Sequence, residues 1–153
     1  TPNKQPLNIA DEISAIFEFF EALAEEAGVK LAFAGQPSVI NADRSLLRHA
    51  LTNLLSNAIR HTASGHSIVV NSYQHAANTL CISVENPGPA ISAEHLPYLF
   101  ERFYRADQSR QRHSDGAGLG LAITKAIIEA HDGDISVTSD KNLTRFVITL
   151  RMT

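Results

Sequence analysis

Three segments of the sequence repeat their apolar residues at helical spacing, and this pattern limits the possible folds more than any other feature. We expect the first helix to begin at a cap formed by Asp11 and to stop at Gly28. Asp43 is the expected cap of the second helix, which extends to about His61. The third helix is expected to close at Gly133.

Between the helices, short runs of alternating apolar residues predict β-strands. A short helix is expected over 92–103, with Pro97 near its first turn. The final two strands form a hairpin around Lys141 and Asn142. The strand segments are 29–33, 38–41, 67–74, 79–86, 134–140 and 144–152. This order predicts one α+β domain over residues 1–153, a two-layer sandwich with three helices on one face of a mixed sheet.

Charge and cysteine content exclude several classes of function. The formal net charge of -3 argues against a nucleic-acid-binding domain, which usually carries a basic excess. The single cysteine, Cys81, rules out an internal disulfide framework or thiolate metal site, and it favours a reducing compartment. No segment has the length of a membrane span or the pattern of a signal peptide, so a soluble domain is expected.

Two asparagines lie beside the apolar stripe of the second helix. Asn53 and Asn57 are four residues apart, so their side chains are separated by only about 40° around the helix and face one partner. Each amide can bond nearby backbone, but a shared polar ligand explains the pair better. Because amide oxygen suits a hard cation, we predict that Asn57 binds Mg²⁺ beside a phosphate-bearing substrate.

A polar loop over 104–118 leads into glycines at the start of the third helix. Gly116, Gly118 and Gly120 would let backbone N–H groups approach an anion, as in a phosphate-binding site. Taken alone the pattern is weak, because glycines at helix starts also serve packing. A dinucleotide-binding motif is disfavoured by Leu121 and by the lack of a preceding strand, and the P-loop ending is missing.

The segment 83–92 ends a strand abruptly in Asn86, Pro87, Gly88 and Pro89. The Asn86 oxygen could accept a hydrogen bond from an exocyclic amine such as that of adenine, and Gly88 would admit a flat ring. An ordinary Pro-Gly turn explains this segment alone equally well.

Four segments together resemble the N, G1, F and G2 boxes of sensor histidine kinase catalytic domains. They are NLLSNAIRHT, VENPGPAI, LFERFYRAD and GAGLGLAI, in this order and spacing. The family shares its ATP-binding fold with gyrase-type ATPases and Hsp90. The resemblance implies the Bergerat α/β sandwich, with loop 104–118 as the ATP lid. The sequences of two of these boxes are similar to those of heavy-metal-responsive sensor kinases.

The resemblance also implies roles for individual residues. Asn57 matches the Mg²⁺ ligand, and Asn53 matches an amide that faces the phosphates, so both are expected to be catalytic. Asn86 stands where the family has Asp, and Ala90 stands where it has a second glycine. Phe100 and Phe103 match the F box. The remaining residues implied at the ATP site are Arg60, His61, Gly88, Ile91, Arg110, Gly116, Gly118, Leu119 and Gly120.

The expected reaction is transfer of the γ-phosphoryl group of ATP to a histidine. A gyrase-type ATPase carries Glu at the position of Asn53, and an amide cannot replace that carboxylate as a base for water. None of the seven histidines lies in the family's acceptor signature. The acceptor is therefore expected on a separate dimerisation domain. A Bergerat ATPase and a nucleotide-binding regulatory module remain as alternatives.

The resemblance further implies the setting of this domain. It predicts a response regulator as the downstream partner, a monomeric isolated domain and a homodimeric full-length protein. The domain is expected to be cytoplasmic, in a protein anchored in the bacterial inner membrane.

Overall fold

Three helices and seven strands form the described part of the chain. The structure is a computed structural model, and it describes residues 1–101 and 119–153. The helices are α1 (Ile9–Ala27), α2 (Arg44–His61) and α3 (Leu119–Ala130). The strands are β1 (Gln5–Asn8), β2 (Lys30–Phe33), β3 (Val39–Ala42), β4 (Ser67–Ala76), β5 (Thr79–Pro87), β6 (Asp134–Asp140) and β7 (Leu143–Arg151).

Five strands build the main sheet in the order β2-β4-β5-β7-β6. β2 runs parallel to β4, and the other three pairings are antiparallel. The β6–β7 hairpin turns at Lys141 and Asn142, both with positive φ angles, as the sequence predicted. β1 and β3 form a separate antiparallel ribbon, and β1 was not predicted. The predicted α+β class and the mixed, mainly antiparallel sheet are confirmed.

The helices cover one face of the main sheet, and α2 lies between α1 and α3. Alternate residues of the central strands, such as Ile68, Ile82 and Ile148, are fully buried on that face. Leu54 and Leu47 of α2 are buried opposite them. Burying a side chain of this size contributes about 1.5–3 kcal/mol, so this layer supplies most of the apolar stabilisation. Among the described residues, no helix has the length and apolar character needed to cross a bilayer.

The start of α1 differs from the prediction. Asn8, not Asp11, caps this helix, because the Asn8 side chain accepts hydrogen bonds from the backbone N–H of Ala10 at 3.0 Å and of Asp11 at 3.4 Å. Ile9 is completely buried, so the chain must turn into the helix directly after β1. At the other end, Gly28 adopts the left-handed conformation with φ 74°, as expected for a C-terminal glycine.

The ends of α2 were predicted correctly. Asp43 accepts a hydrogen bond from the Leu46 N–H at 3.1 Å, and the helix ends at His61. The pKa of Asp43 is lowered from its usual value, first by the Asn3 N–H and then by the Leu46 N–H. Both bonds favour the ionised carboxylate at the positive end of the helix.

The end of α3 is one correction to the sequence analysis. The helix ends at Ala130, and Asp132 rather than Gly133 takes the left-handed conformation, with φ 59°. The Gly133 N–H still donates to the Ile128 carbonyl at 2.9 Å. Gly133 is instead constrained by packing, since a Cβ there would lie 2.3 Å from the Thr149 carbonyl oxygen.

The segment before the long loop contains less helix than predicted. Of the described residues 92–101, Leu96–Tyr98 alone form a helix, a short 3-10 turn, and Pro97 does lie in its first turn. Leu99 is buried immediately after this turn. A proline supplies no N–H, so Pro97 is accepted near the start of a helix but not in its interior.

Ser72 carries a buried hydroxyl that has no hydrogen-bond partner among the described residues. Replacing it with the smaller alanine removes the cost of desolvating that hydroxyl, so Ser72→Ala should raise the free energy of unfolding by about 1 kcal/mol. Ser139→Ala is the matched control, because the Ser139 oxygen accepts from the Ile91 N–H at 2.7 Å and lies 2.8 Å from the Thr144 hydroxyl. Urea denaturation of both variants tests this, and destabilisation by Ser72→Ala would contradict it.

Candidate functional site

The predicted site lies where α2 packs against α3. The Asn53 amide nitrogen donates to the Gly120 carbonyl at 3.2 Å and to the Thr124 hydroxyl oxygen at 3.3 Å. Thr124 is completely buried, and its own hydroxyl donates to the Gly120 carbonyl at 2.9 Å. These bonds fix the first turn of α3 against the middle of α2. Asn53 therefore has a structural partner in the glycine-led helix.

Asn57 lies one turn after Asn53 on the same side of α2 and is half-buried. Its side chain makes no hydrogen bond to any residue that the structure describes. An amide at the edge of a core normally finds a partner, because leaving it unpaired costs about 1–3 kcal/mol. The Asn57 amide is thus available to a ligand in a way that the Asn53 amide nitrogen is not.

The glycine-led start of α3 leaves space next to Gly120. A Cβ built on Gly120 has no atom of the described chain within 4 Å. Several predicted site residues cannot be placed, because they lie outside the described residues. These are Phe103, Arg110, Gly116, Gly118 and the side chain of Leu119.

The last turn of α2 meets the end of β5. Arg60 and His61 are both exposed there. The His61 carbonyl oxygen lies 3.0 Å from the position that a Cβ on Gly88 would occupy. The Gly88 N–H donates to the Asn142 carbonyl at 2.9 Å, which ties this turn to the β6–β7 hairpin. The absence of a side chain at Gly88 therefore permits the close approach of α2.

A polar cluster lies at the end of β5 on the helix-covered face. Asn86 is 5% exposed, and its amide nitrogen donates to the Pro87 carbonyl at 3.4 Å. It is paired in register with Thr144 of β7, which is 6% exposed. The Thr144 and Ser139 hydroxyl oxygens are 2.8 Å apart, and the Ser139 oxygen accepts from the Ile91 N–H at 2.7 Å. Ser139 and Thr144 thus connect Ile91 to the end of β5 at Asn86.

Ser139 and Thr144 were missed as site residues in the sequence analysis. Serine and threonine are common in exposed strands, so their presence carries little information. The alternation of β7 places Thr144 on the buried face with Phe146, and this could have been noticed. Its pairing with Asn86 depends on the register between strands that are distant in sequence.

An aromatic contact holds the segment before the long loop on the sheet. The Phe100 ring packs edge-on against Phe146 of β7, with ring centres 6.0 Å apart and planes at 82°. Edge-to-face pairs of this kind add about 0.5–1.5 kcal/mol beyond their buried area. Phe100 thereby anchors one end of the predicted lid, whose own residues lie outside the described part.

The donor set at this site fits a phosphate-bearing ligand with a hard cation. Among residues 1–101 and 119–153, no group of three or more His, Cys, Asp or Glu side chains could hold a metal ion. A cation here would depend on the Asn57 amide oxygen, water and the ligand's own phosphates, a combination suited to Mg²⁺.

A surface cleft of about 610 Å³ lies elsewhere, at the start of α2. It is lined in part by Arg44 and Arg48, and both form ion pairs with the buried Glu12 of α1, at 3.4 and 2.8 Å. Their charge is therefore already compensated within the fold. In the α2–α3 site, by contrast, the Asn57 amide has no partner within residues 1–101 and 119–153.

Known proteins resemble this chain over most of its length. Residues 42–153 match the family described as histidine kinase-, DNA gyrase B-, and HSP90-like ATPase. The chain is 54% identical to the sensor histidine kinase CusS of Escherichia coli K12 over 149 residues, which are 97% of the chain and 31% of CusS. It is 36% identical to the sensor protein CzcS of Cupriavidus metallidurans, covering 93% of the chain and 30% of CzcS. The chain thus spans less than a third of these relatives.

Solved structures agree with the fold. The catalytic domain of histidine kinase ThkA superposes with a TM-score of 0.86 at 27% identity, covering 99% of this chain and 97% of that one. Full-length ShkA in complex with AMPPNP gives a TM-score of 0.86 at 25% identity, covering 100% of this chain and 32% of ShkA. ThkA in complex with the response regulator TrrA gives 0.83 at 25%, covering 99% and 42%.

Proposed function

We propose a nucleotide-dependent function from one premise: the chain belongs to the histidine kinase-, DNA gyrase B-, and HSP90-like ATPase family. The domain binds ATP with Mg²⁺ and transfers the γ-phosphoryl group to a histidine of a separate dimerisation domain of the same sensor kinase. The observation that carries this proposal is the Asn57 amide, which has no hydrogen-bond partner among the described residues and lies one turn after the Asn53 amide that contacts α3, within a chain of this family.

Asn57 and the start of α3 act on the triphosphate. The amide oxygen of Asn57 would hold Mg²⁺, and a cation bound there would supply the positive charge that offsets the repulsion among the phosphates. Asn53 orients the first turn of α3 through Gly120 and Thr124, so that backbone N–H groups near Gly120 approach the phosphates. Arg60, one turn beyond Asn57, supplies positive charge at the same end of α2. Gly116, Gly118, Leu119 and Arg110 complete this phosphate region.

The adenine is held at the end of β5. The Asn86 oxygen accepts from the exocyclic amine, and the donation of its amide nitrogen to Pro87 favours this orientation. Gly88 lets the ring lie near the backbone, and His61 borders the nucleotide from the last turn of α2. Ile91 and Phe103 supply apolar contacts. Asn86 binds without charge, so the adenine contact is weaker than a carboxylate would provide.

Transfer to histidine is favoured over hydrolysis by the chemistry of Asn53. A hydrolase needs a group that orients and deprotonates water, and an amide cannot accept that proton. In this structure the Asn53 amide nitrogen is also engaged by α3. A neutral imidazole is already nucleophilic, so a histidine acceptor needs no strong base from this domain.

The partners follow from the incomplete coverage of the relatives. Because the chain spans 31% of CusS, we propose that the acceptor histidine and the dimerisation domain lie in a part of the kinase that this chain does not cover. A response regulator then receives the phosphoryl group, as the complex of ThkA with TrrA suggests by analogy. The domain is monomeric alone, acts in a homodimer, binds no nucleic acid and lies on the cytoplasmic side of a kinase anchored in the bacterial inner membrane.

Incubation with γ-labelled ATP and Mg²⁺ tests the division of labour. The isolated domain should label itself negligibly, and a separately made dimerisation domain carrying the acceptor histidine should become labelled when both are mixed. A dimerisation domain with the acceptor His replaced by Ala is the control. Strong labelling of the isolated domain would refute the proposal, and steady phosphate release without labelling would indicate an ATPase instead.

A further inference from the structure

We propose that the base subsite accepts 6-oxo purine nucleotides nearly as well as 6-amino ones, with Asn86 as the residue that sets this tolerance. The inference rests on the proposed function, since it assumes that the purine lies against the cluster of Asn86, Thr144 and Ser139. It concerns which nucleotides the same site admits.

The two kinds of purine present opposite hydrogen-bonding edges. Adenine has a donor at its 6-amino group and an acceptor at N1, whereas hypoxanthine and guanine have an acceptor at O6 and a donor at N1. A site that recognises only the first pattern must offer an acceptor that cannot become a donor. A site with groups that can exchange these roles accommodates both patterns.

Asn86 can exchange roles at small cost. Its amide carries an acceptor oxygen and a donor nitrogen, and rotation by 180° about the terminal torsion swaps their positions. The only hydrogen bond that its side chain makes to the described residues is the 3.4 Å contact with the Pro87 carbonyl. This distance is at the long end for a hydrogen bond, so rotation loses only a weak bond, and its main cost is the approach of the Asn86 oxygen to the Pro87 carbonyl oxygen.

The neighbouring hydroxyl pair can exchange roles as well. The Ser139 and Thr144 oxygens are 2.8 Å apart, and either hydroxyl can be the donor. Ser139 accepts from the Ile91 N–H in both arrangements, because a hydroxyl oxygen has two acceptor positions. When Ser139 donates to Thr144, the Thr144 proton is available. When Thr144 donates to Ser139, Thr144 retains a free lone pair.

Asn86 and Thr144 lie where a purine edge would be desolvated. Asn86 is 5% exposed and Thr144 is 6% exposed, and they are register partners on the helix-covered face of β5 and β7. In such a site a mismatched donor or acceptor cannot be rescued by water, so adaptable partners determine which bases are tolerated. A carboxylate at position 86, which accepts only, would restore strict preference for the amino group.

Calorimetric titration with ATP and with ITP, both with Mg²⁺, tests this directly. ITP is the appropriate probe because it changes the 6-position and N1 without adding the 2-amino group of GTP. The wild-type affinities should agree within roughly tenfold, and Asn86→Asp at pH 8 should widen the ATP preference by roughly tenfold or more. Asn71→Asp, the same change on β4 at a position paired with Ser83, should leave the ratio unchanged.

The ratio separates recognition from stability. Both nucleotides share ribose and triphosphate, so a general loss of structure lowers both affinities and leaves their ratio as it was. If Asn86→Asp does not fold, the wild-type ratio alone decides. This inference would be overturned if the wild type bound ATP more than roughly tenfold more tightly than ITP, or if Asn86→Asp had the same affinity ratio as the wild type. Neither result would affect the proposed function. Failure of the wild type to bind either nucleotide would overturn the proposed function as well.

Discussion

Replacing Asn57 with alanine should weaken Mg²⁺-dependent binding of a non-hydrolysable ATP analogue by roughly tenfold to a hundredfold, the range expected when a metal loses a protein contact. The fold should remain intact, because the Asn57 side chain has no hydrogen-bond partner among the described residues. The effect is measured by titrating the analogue into the protein in a calorimeter, once in the presence of Mg²⁺ and once in the presence of a chelator. In Asn57→Ala the two titrations should become similar, whereas the wild type should bind more weakly once the metal is removed.

Asn53→Ala provides the comparison, since the two amides lie one turn apart on α2. This variant loses the bonds to Gly120 and Thr124, and we expect it to lower the free energy of unfolding by about 1 kcal/mol. Asn57→Ala should leave that free energy unchanged. If Asn57→Ala kept the wild-type dependence on Mg²⁺, Asn57 would have to be removed from the metal site.

Replacing Gly133 with alanine should destabilise the domain by about 3 kcal/mol or more. The new Cβ would lie 2.3 Å from the Thr149 carbonyl oxygen and 2.9 Å from a Leu150 methyl carbon. A backbone carbonyl in a paired strand cannot move without disturbing the β6–β7 and β5–β7 ladders, so the strain has no inexpensive release. Chemical denaturation gives the change in the free energy of unfolding.

Gly120→Ala is the matched control, because a Cβ there meets no atom of the described chain within 4 Å. Alanine is favoured over glycine in a helix by about 1 kcal/mol, so this variant should be at least as stable as the wild type. A Gly133→Ala variant with nearly wild-type stability would mean that α3 and β6 can shift together. Packing at Gly133 would then not determine the position of α3.

The helical periodicity of the sequence identified all three helices, but the residues at which the helices begin and end were less predictable. Asp43 and Gly28 were correct because capping chemistry there acts between near neighbours in sequence. The prediction that Asp11 caps α1 was wrong, because the helix already begins at Ile9, with Asn8 as its cap. Ile9 is buried directly after β1, which pairs with β3. Gly133 was expected to close α3, but Asp132 is the residue that adopts the left-handed conformation after the helix. Gly133 instead packs closely against β7.

The same distinction holds for the site. The spacing of Asn53 and Asn57 and the glycines before α3 led to the prediction of an amide-lined phosphate site, because helix geometry fixes the relation of residues one turn apart. Sequence alone did not distinguish the two amides. Only the packing of α2 against α3 engages the Asn53 nitrogen and leaves Asn57 without a described partner, and only the strand register pairs Thr144 with Asn86. Such contacts join residues distant in the chain, so tertiary structure decides them.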